Sequence, residues 1–382
     1  MLKLSLTLAA AFCSSCLFVS NSSAQSSVSM SGLHVVSNTI QNGNGQVLFL
    51  HGVDRGQTEY ECMDGTDVTP RTQAVVNAIK SWNANIVRVP LNEDCWLGIN
   101  TNSKNAAYMG VPYRRNILNW VNLLTSNNLV VIVDLHSNAP GATPSTNQLP
   151  MPDADHAPAY WKSVAAVFKS NSSVIFDLFN EPLPYFDIEN QYAKGSSGTA
   201  WQCWLNGGNI CTGDPKITYA AVGMQALVNA VRQTGARNVL MLGGLQYSND
   251  LTQWLAHKPI DPQNNLVASW HVYAMNSCAN QSCWDSKIAP VAAQVPLIAG
   301  EFGIGPPAIT RKTDCDAPFL NSLWSFFDNH QLGYVVWKFN VWPGSCGDRD
   351  SFNWALISNE SGTRTPYGDL YYHHLQGLPS TH

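Results

Sequence analysis

Two glutamates stand where the chain could do chemistry. Glu181 lies in Asn180-Glu181-Pro182, after the apolar run Val174-Ile175-Phe176-Asp177-Leu178-Phe179. Glu301 lies in Gly300-Glu301-Phe302-Gly303, after Val295-Pro296-Leu297-Ile298-Ala299. Two carboxyl groups facing each other over a cleft are what glycoside hydrolysis needs: one protonates the leaving oxygen, the other attacks the anomeric carbon. A separation of roughly 5–5.5 Å means retention through a covalent glycosyl-enzyme, and a wider one inversion. Either glutamate alone is also compatible with capping a helix or pairing with arginine. Both at strand ends, with polar neighbours at other strand ends, favour catalysis. Those neighbours are Arg88, Asp134, His136, His271, Tyr273 and Trp337.

Such residues need a regular frame. Eight short runs read as strands: Val47–Val53, Ile86–Leu91, Leu129–Leu135, Val174–Phe179, Val239–Leu242, Leu266–Val272, Val295–Ala299 and Tyr334–Phe339. Each is nearly continuous in β-branched or aromatic residues, as strands buried on both faces are. Helical spacing fills the gaps. Thr69-Pro70 reads as an N-cap followed by Pro at the first helical position, with Val75, Ile79 and Trp82 on one face. Ile117/Val121/Leu124, Val164/Phe168, Leu227/Val231 and Leu320/Trp324/Phe327 repeat the pattern, and Thr252–Lys258 is a weaker helix. Eight strand–helix alternations without a linker predict one (β/α)₈ barrel, a fold of about 250 residues before insertions. An open doubly wound sheet would want a Gly-rich turn after its first strand, and His51-Gly52-Val53-Asp54-Arg55 is not one. In the barrel, active sites sit at the C-terminal ends of the strands, where these polar residues fall.

The 382 residues carry only 12% charged side chains but 45% hydrophobic and 10% aromatic ones, which excludes a disordered chain. A net charge of -5 offers no attraction to nucleic acid or anionic lipid. Lys3, the apolar stretch from Leu4 to Val19 and Ser22-Ser23-Ala24 read as a secretory signal peptide over residues 1–24, leaving 25–382 as the catalytic domain. Serines break the apolar stretch before the about 20 residues that a membrane span requires. A secreted, extracellular protein oxidises its cysteines. Cys203/Cys211 and Cys278/Cys283 each close a short loop, and Cys62/Cys95 and Cys315/Cys346 follow by elimination, though spacing alone leaves other pairings open. Asn171, Asn280 and Asn359 begin glycosylation sequons.

From Leu48-Phe49-Leu50-His51-Gly52-Val53 to Val336-Trp337, the chain resembles glycoside hydrolase family 5, cellulase-like retaining enzymes on a (β/α)₈ barrel. The family's eight marked positions find counterparts in Arg88, His136, Asn180, Glu181, His271, Tyr273, Glu301 and Trp337. The resemblance implies that Glu181 is the general acid/base and Glu301 the nucleophile. Arg88 and Tyr273 would hydrogen-bond Glu301, and Asn180 would reach the sugar's 2-hydroxyl. His136 and His271 would line the subsite and orient the carboxylates, and Trp337 would be the floor under the sugar. The expected substrate is a β-1,4-linked polysaccharide or oligosaccharide of the cellulose type. Xylan, mannan and exo-acting cleavage stay open, as does a noncatalytic carbohydrate-binding barrel. No cofactor is called for. His51, Asp134, His136 and His271 are too dispersed for a metal site, so a metal-dependent hydrolase is the weaker alternative. The protein is expected to be a monomer without nucleic-acid or membrane partners.

Insertions set specificity. Leu183 to about Ile217 carries Tyr185, Phe186, Trp201 and Trp204, either a wall for a sugar chain or a loop packed on its own rings. Ala139–Pro158 should follow the cleft rim. Glu93 and Asp94, like Asp348, Arg349 and Asp350, either bind sugar hydroxyls or are simply solvated.

Overall fold

The computed structural model describes residues 27–64, 69–100, 106–184, 198–209, 219–305, 314–342 and 354–380, with Leu2, Cys211 and Cys346. The expected signal peptide (Leu2 apart), Tyr185, Phe186 and Asp348–Asp350 lie outside the described residues.

Eight parallel strands close into a barrel in chain order: β1 (His51–Asp54), β2 (Ile86–Asn92), β3 (Val130–Ser137), β4 (Val174–Asp177), β5 (Leu240–Gly243), β6 (Leu266–Tyr273), β7 (Leu297–Gly303) and β8 (Gly333–Val336). Strand periodicity of two explains what fills it. Ile86, Val130, Ile132, Ile175, Met241, Val267, Ile298 and Val335 form one inner apolar cluster, joined from below by Met30, Leu33 and Ile40 around the hairpin His34–Gln41. Two residues above Ile86 comes Arg88, two above Ile132 comes Asp134 and then His136, and two above Ile175 comes Asp177. The same alternation that builds the apolar floor therefore turns polar side chains inward near the top. The intervening residues Val87, Val89, Val131, Val133 and Phe176 face a second, larger core against the helices.

Those helices include α1 (Gln73–Ser81), α2 (Val111–Ser126), α3 (Ala157–Phe168), α4 (Gly198–Asn206), α5 (Met224–Arg232), α6 (Ala317–Asn329) and α7 (Pro366–Gln376). Four disulfides are formed: Cys203–Cys211 and Cys278–Cys283, the pairs expected from their short loops, and Cys62–Cys95 and Cys315–Cys346, the pairs left by elimination. All four lie in segments that follow barrel strands, on the face where the polar side chains emerge.

Several boundaries differ from the sequence reading. Thr72 rather than Thr69 caps α1, accepting from Val75 N–H. The preceding residues are held outside the helix: Pro70 O accepts from Arg55, and Arg71 pairs with buried Glu61. Thr252–Lys258 forms turns instead of a helix; Pro259 follows, and the Trp254 indole donates to Leu242 O at 3.1 Å. Strand β7 runs through Glu301, while β8 stops before Trp337. Arg88 lies inside β2 instead of at its end. Trp201 and Trp204 are fully buried on α4: Trp204 Nε1 donates to Gly243 O of β5 at 2.9 Å, and Trp201 packs on Trp204 and His257, so neither ring makes a sugar wall. Of the sequons, Asn280 and Asn359 are exposed and Asn171 is half-buried.

Candidate active site

Arg88 organises the mouth. Its Nη1 donates to Glu301 Oε1 at 2.7 Å and Asp54 Oδ2 at 3.0 Å. Its Nη2 donates to Asn180 Oδ1 at 2.6 Å, Asp134 Oδ2 at 3.0 Å and Asp177 Oδ2 at 3.2 Å. One fully buried guanidinium thus faces four acids. Burial pushes Asp177 up to about 8 despite the attraction of Arg88, and raises Asp54 well above the usual carboxylate range, so part of the surplus charge is met by protons.

Glu301 is held at its other oxygen by the Tyr273 hydroxyl, which donates to Oε2 at 2.7 Å. The register of β6 against β7 slips between Trp270 and His271, setting His271 opposite Glu301 and Tyr273 opposite Gly303. Glu181 comes from the segment beyond β4. Its Oε1 lies 2.9 Å from His271 Nδ1, and its Oε2 accepts from Gln148 Nε2 at 2.9 Å. Burial raises the Glu181 carboxyl above its ordinary value, and pulls His271 down to about 3, so a neutral ring donates from Nδ1. One oxygen of each glutamate and a ring nitrogen of His271 all lie within 4.8 Å of one another.

The main chain around Glu181 is fixed from β5. Just past that strand, Gln246, Tyr247 and Ser248 take φ values of 51°, 58° and 59°, a left-handed turn of three non-glycine residues. Ser248 Oγ donates to Asn180 O at 2.9 Å and Tyr247 N–H to Pro182 O at 3.3 Å, bracketing the glutamate on both sides.

His136 does not orient a carboxylate of the glutamate pair. Its Nδ1 bonds Asp134 at 3.0 Å, and its ring stacks on Trp337 at 5.6 Å and 11°. Burial opposes its protonation, but the Asp134 charge and hydrogen bond outweigh this and raise it to about 9. Trp337 is only 8% exposed, which leaves little of its ring open to a sugar in the free protein.

Glu93 and Asp94 are neither solvated nor turned to the mouth. Both are buried and brace the segment after β3: Ala139 N–H donates to Glu93 Oε2 at 2.6 Å and Ser145 N–H to Asp94 Oδ2 at 2.7 Å. Asp153 approaches Glu93 with His156 nearby, an acid–histidine group that could in principle share an ion. His156 Nδ1 is already engaged with Ala139 O at 2.7 Å, and Asp153 already accepts from His156 N–H and Asn138 Nδ2. Burial, with Asp153 beside it, raises Glu93 well above its ordinary value. A proton on Glu93 suits this pair.

Residues 47–342 match the family model for cellulase, glycosyl hydrolase family 5. The chain belongs to that family. It is a glycoside hydrolase on a (β/α)₈ barrel. A mannan endo-1,4-beta-mannosidase of Salipaludibacillus agaradhaerens is 21% identical over 92% of this chain and 94% of its own. A cellulase of Thermoanaerobacterium sp is 24% identical over 68% of this chain and 58% of its own. Among solved structures, a beta-glucanase from Saccharophagus degradans in complex with cellotetraose superposes with a TM-score of 0.63 at 15% identity, covering 92% of this chain and 94% of that one. A beta-mannanase from Thermomonospora fusca reaches 0.62 at 20% identity, with 92% and 98% covered.

The eight residues matched to the family on sequence come together at this mouth. Asp54, Asp177, Gln148 and Ser248 were not singled out. For the two aspartates a signal existed: an acid in register with inward apolar positions of a buried strand. Gln148 and Ser248 sit in loops, where no periodicity marks them.

Proposed function

We propose that this hydrolase is a secreted retaining endo-β-1,4-glycanase with Glu301 as nucleophile and Glu181 as general acid/base. The observation that carries this is the approach of the two carboxylates to within 4.8 Å, each with a different escort. That closeness suits direct attack on the sugar and falls short of the roughly 6.5–9.5 Å by which inverting enzymes separate acid and base to seat a water beside the sugar. Glu301, accepting from Arg88 and Tyr273, attacks the anomeric carbon. Glu181, raised by burial, gives its proton to the departing oxygen as that bond breaks. In the second step Glu181 takes a proton from water, the hydroxide adds to the anomeric carbon, and the bond to Glu301 breaks. Asn180, oriented by Arg88, is the donor for the 2-hydroxyl, a contact that tightens as oxocarbenium character grows.

A cellulose-like β-1,4-glucan is the first choice of substrate. Mannan is the second reading, supported by the full-length similarity to a mannan endo-1,4-beta-mannosidase. Export is supported by Lys3, the apolar stretch to Val19 and Ser22-Ser23-Ala24, and suits four disulfides. The deciding experiment digests glucan, mannan and xylan and sizes the products. A falling ladder of oligosaccharides from one glucan or mannan, with β-configured anomers released first, is expected. Inverted anomers, or no cleavage of any β-1,4-glycan, would refute the reading.

A further inference from the structure

Among the described residues two donors reach the Glu181 carboxylate, and of these His271 comes from a barrel strand. The other is Gln148, in the segment between β3 and α3. Its Nε2 lies 2.9 Å from Glu181 Oε2 and 3.2 Å from the Glu181 carbonyl oxygen, and its Oε1 accepts from Asn180 Nδ2 at 3.3 Å. One amide therefore grips the side chain and main chain of the same glutamate, and the asparagine before it. Gln148 is itself held from both sides. Ser145 N–H donates to Asp94 at 2.7 Å and Ser145 O accepts from Asn92 Nδ2 at 2.9 Å; beyond Gln148, Pro150 O accepts from Leu183 N–H at 2.7 Å.

We propose that Gln148 is a positioning residue that aims the Glu181 carboxyl and fixes the upper pH limit of proton donation to the leaving oxygen. The proposal rests on the reading of Glu181 as acid/base. An uncharged N–H pointed at a carboxylate favours its ionised form and so offsets part of the effect of burial. A cation in that place would hold the group ionised, with no proton to give. An apolar side chain would leave the acid free to rotate and slow to release its proton. The charged and titratable groups around Glu181 come from the other strands: Arg88 from β2, Asp134 and His136 from β3, His271 and Tyr273 from β6, and Glu301 from β7. Among the described contacts to the Glu181 carboxylate, Gln148 is the one that a loop supplies.

The test is Gln148→Met, which keeps the length of the side chain and removes both polar atoms. Glu181 is titrated by NMR in carboxyl-labelled protein, its signal assigned by its loss in Glu181→Gln, and kcat/KM is followed against pH. Glu181 should titrate at higher pH in Gln148→Met, and the alkaline limb of kcat/KM should move with it. Turnover of a glycan should fall about tenfold, that of an activated aryl glycoside much less, with kcat changing more than KM. An unmoved titration, or equal losses on both substrates, overturns the proposal. Should Gln148→Met fail to fold, the isosteric Gln148→Glu takes its place: a second carboxylate there must raise the Glu181 titration, and no change overturns the proposal equally. The titration needs no substrate. Failure of the glycosidase reading would instead show as wild-type protein inactive on every glycan.

Discussion

At the residue scale, the same side chain is given two characters by its neighbours. Glu301 meets a guanidinium and a phenol, whereas Glu181 meets only uncharged donors, an amide and a neutral imidazole. Glu301→Gln is therefore expected to abolish turnover of every substrate with the fold intact. Glu181→Gln should lose glycan cleavage but keep much of its first-step rate on an aryl glycoside whose leaving group needs no proton. Equal losses in both assays would reverse or void the assignment. The two mouth histidines act on stability with opposite signs. His271 falls from 6.5 to about 3, so the unfolded chain takes up a proton that the fold refuses, and stability drops as pH falls from 6.5 towards 3. His136 rises from 6.5 to about 9, so its contribution is full below 6.5 and is lost as pH climbs through 9. Urea unfolding across pH should show both slopes. His136→Asn should flatten the alkaline one only, and His271→Asn the acid one only.

At the scale of elements, the strands were legible because burial on both faces leaves a long apolar signature, and the polar residues that interrupt it mark the mouth. The run Val47–Val53 is longer than the barrel strand because its start belongs to the hairpin below: Leu48 N–H donates to Ile40 O at 2.9 Å, and Leu48 and Leu50 fill the barrel floor. Thr69-Pro70 misled because tertiary partners, Arg55 and Glu61, hold that segment extended. The turn at Gln246–Ser248 left no trace, since nothing in its residue types asks for positive φ. Left-handed backbone at a non-glycine residue costs about 1–2 kcal/mol. Here the turn persists because Ser248 and Tyr247 hold the carbonyls on either side of Glu181. Ser248→Ala should destabilise the protein by about 1–2 kcal/mol, by leaving the buried Asn180 carbonyl without that donor. It should also slow glycan turnover more than aryl glycoside turnover. A change in stability with no change in that ratio would mean that the turn supports the fold but does not aim the acid.

At the scale of the whole molecule, the barrel floor and the mouth are stabilised by different means. The floor is apolar and needs no cross-links. The mouth is built of long segments, and all four disulfides are found there, two of them spanning 33 and 31 residues. Each of those longer bridges is worth about 3–4 kcal/mol by loop-closure entropy. Reduction should lower Tm sharply while the fraction still folded at moderate temperature keeps its kcat, as calorimetry and assays with and without reductant would show. The Glu93–Asp153 contact gives the same mouth a different kind of fastener. Asp153 sits in the segment that presents Gln148, and Glu93 at the top of β2, so what joins them is a single hydrogen ion. Raising the pH should withdraw that ion and leave two buried negative charges repelling each other, so amide hydrogen exchange around Asp153 is expected to quicken at alkaline pH while the barrel strands stay protected. Glu93→Gln, which supplies the hydrogen permanently, should weaken that response to alkali.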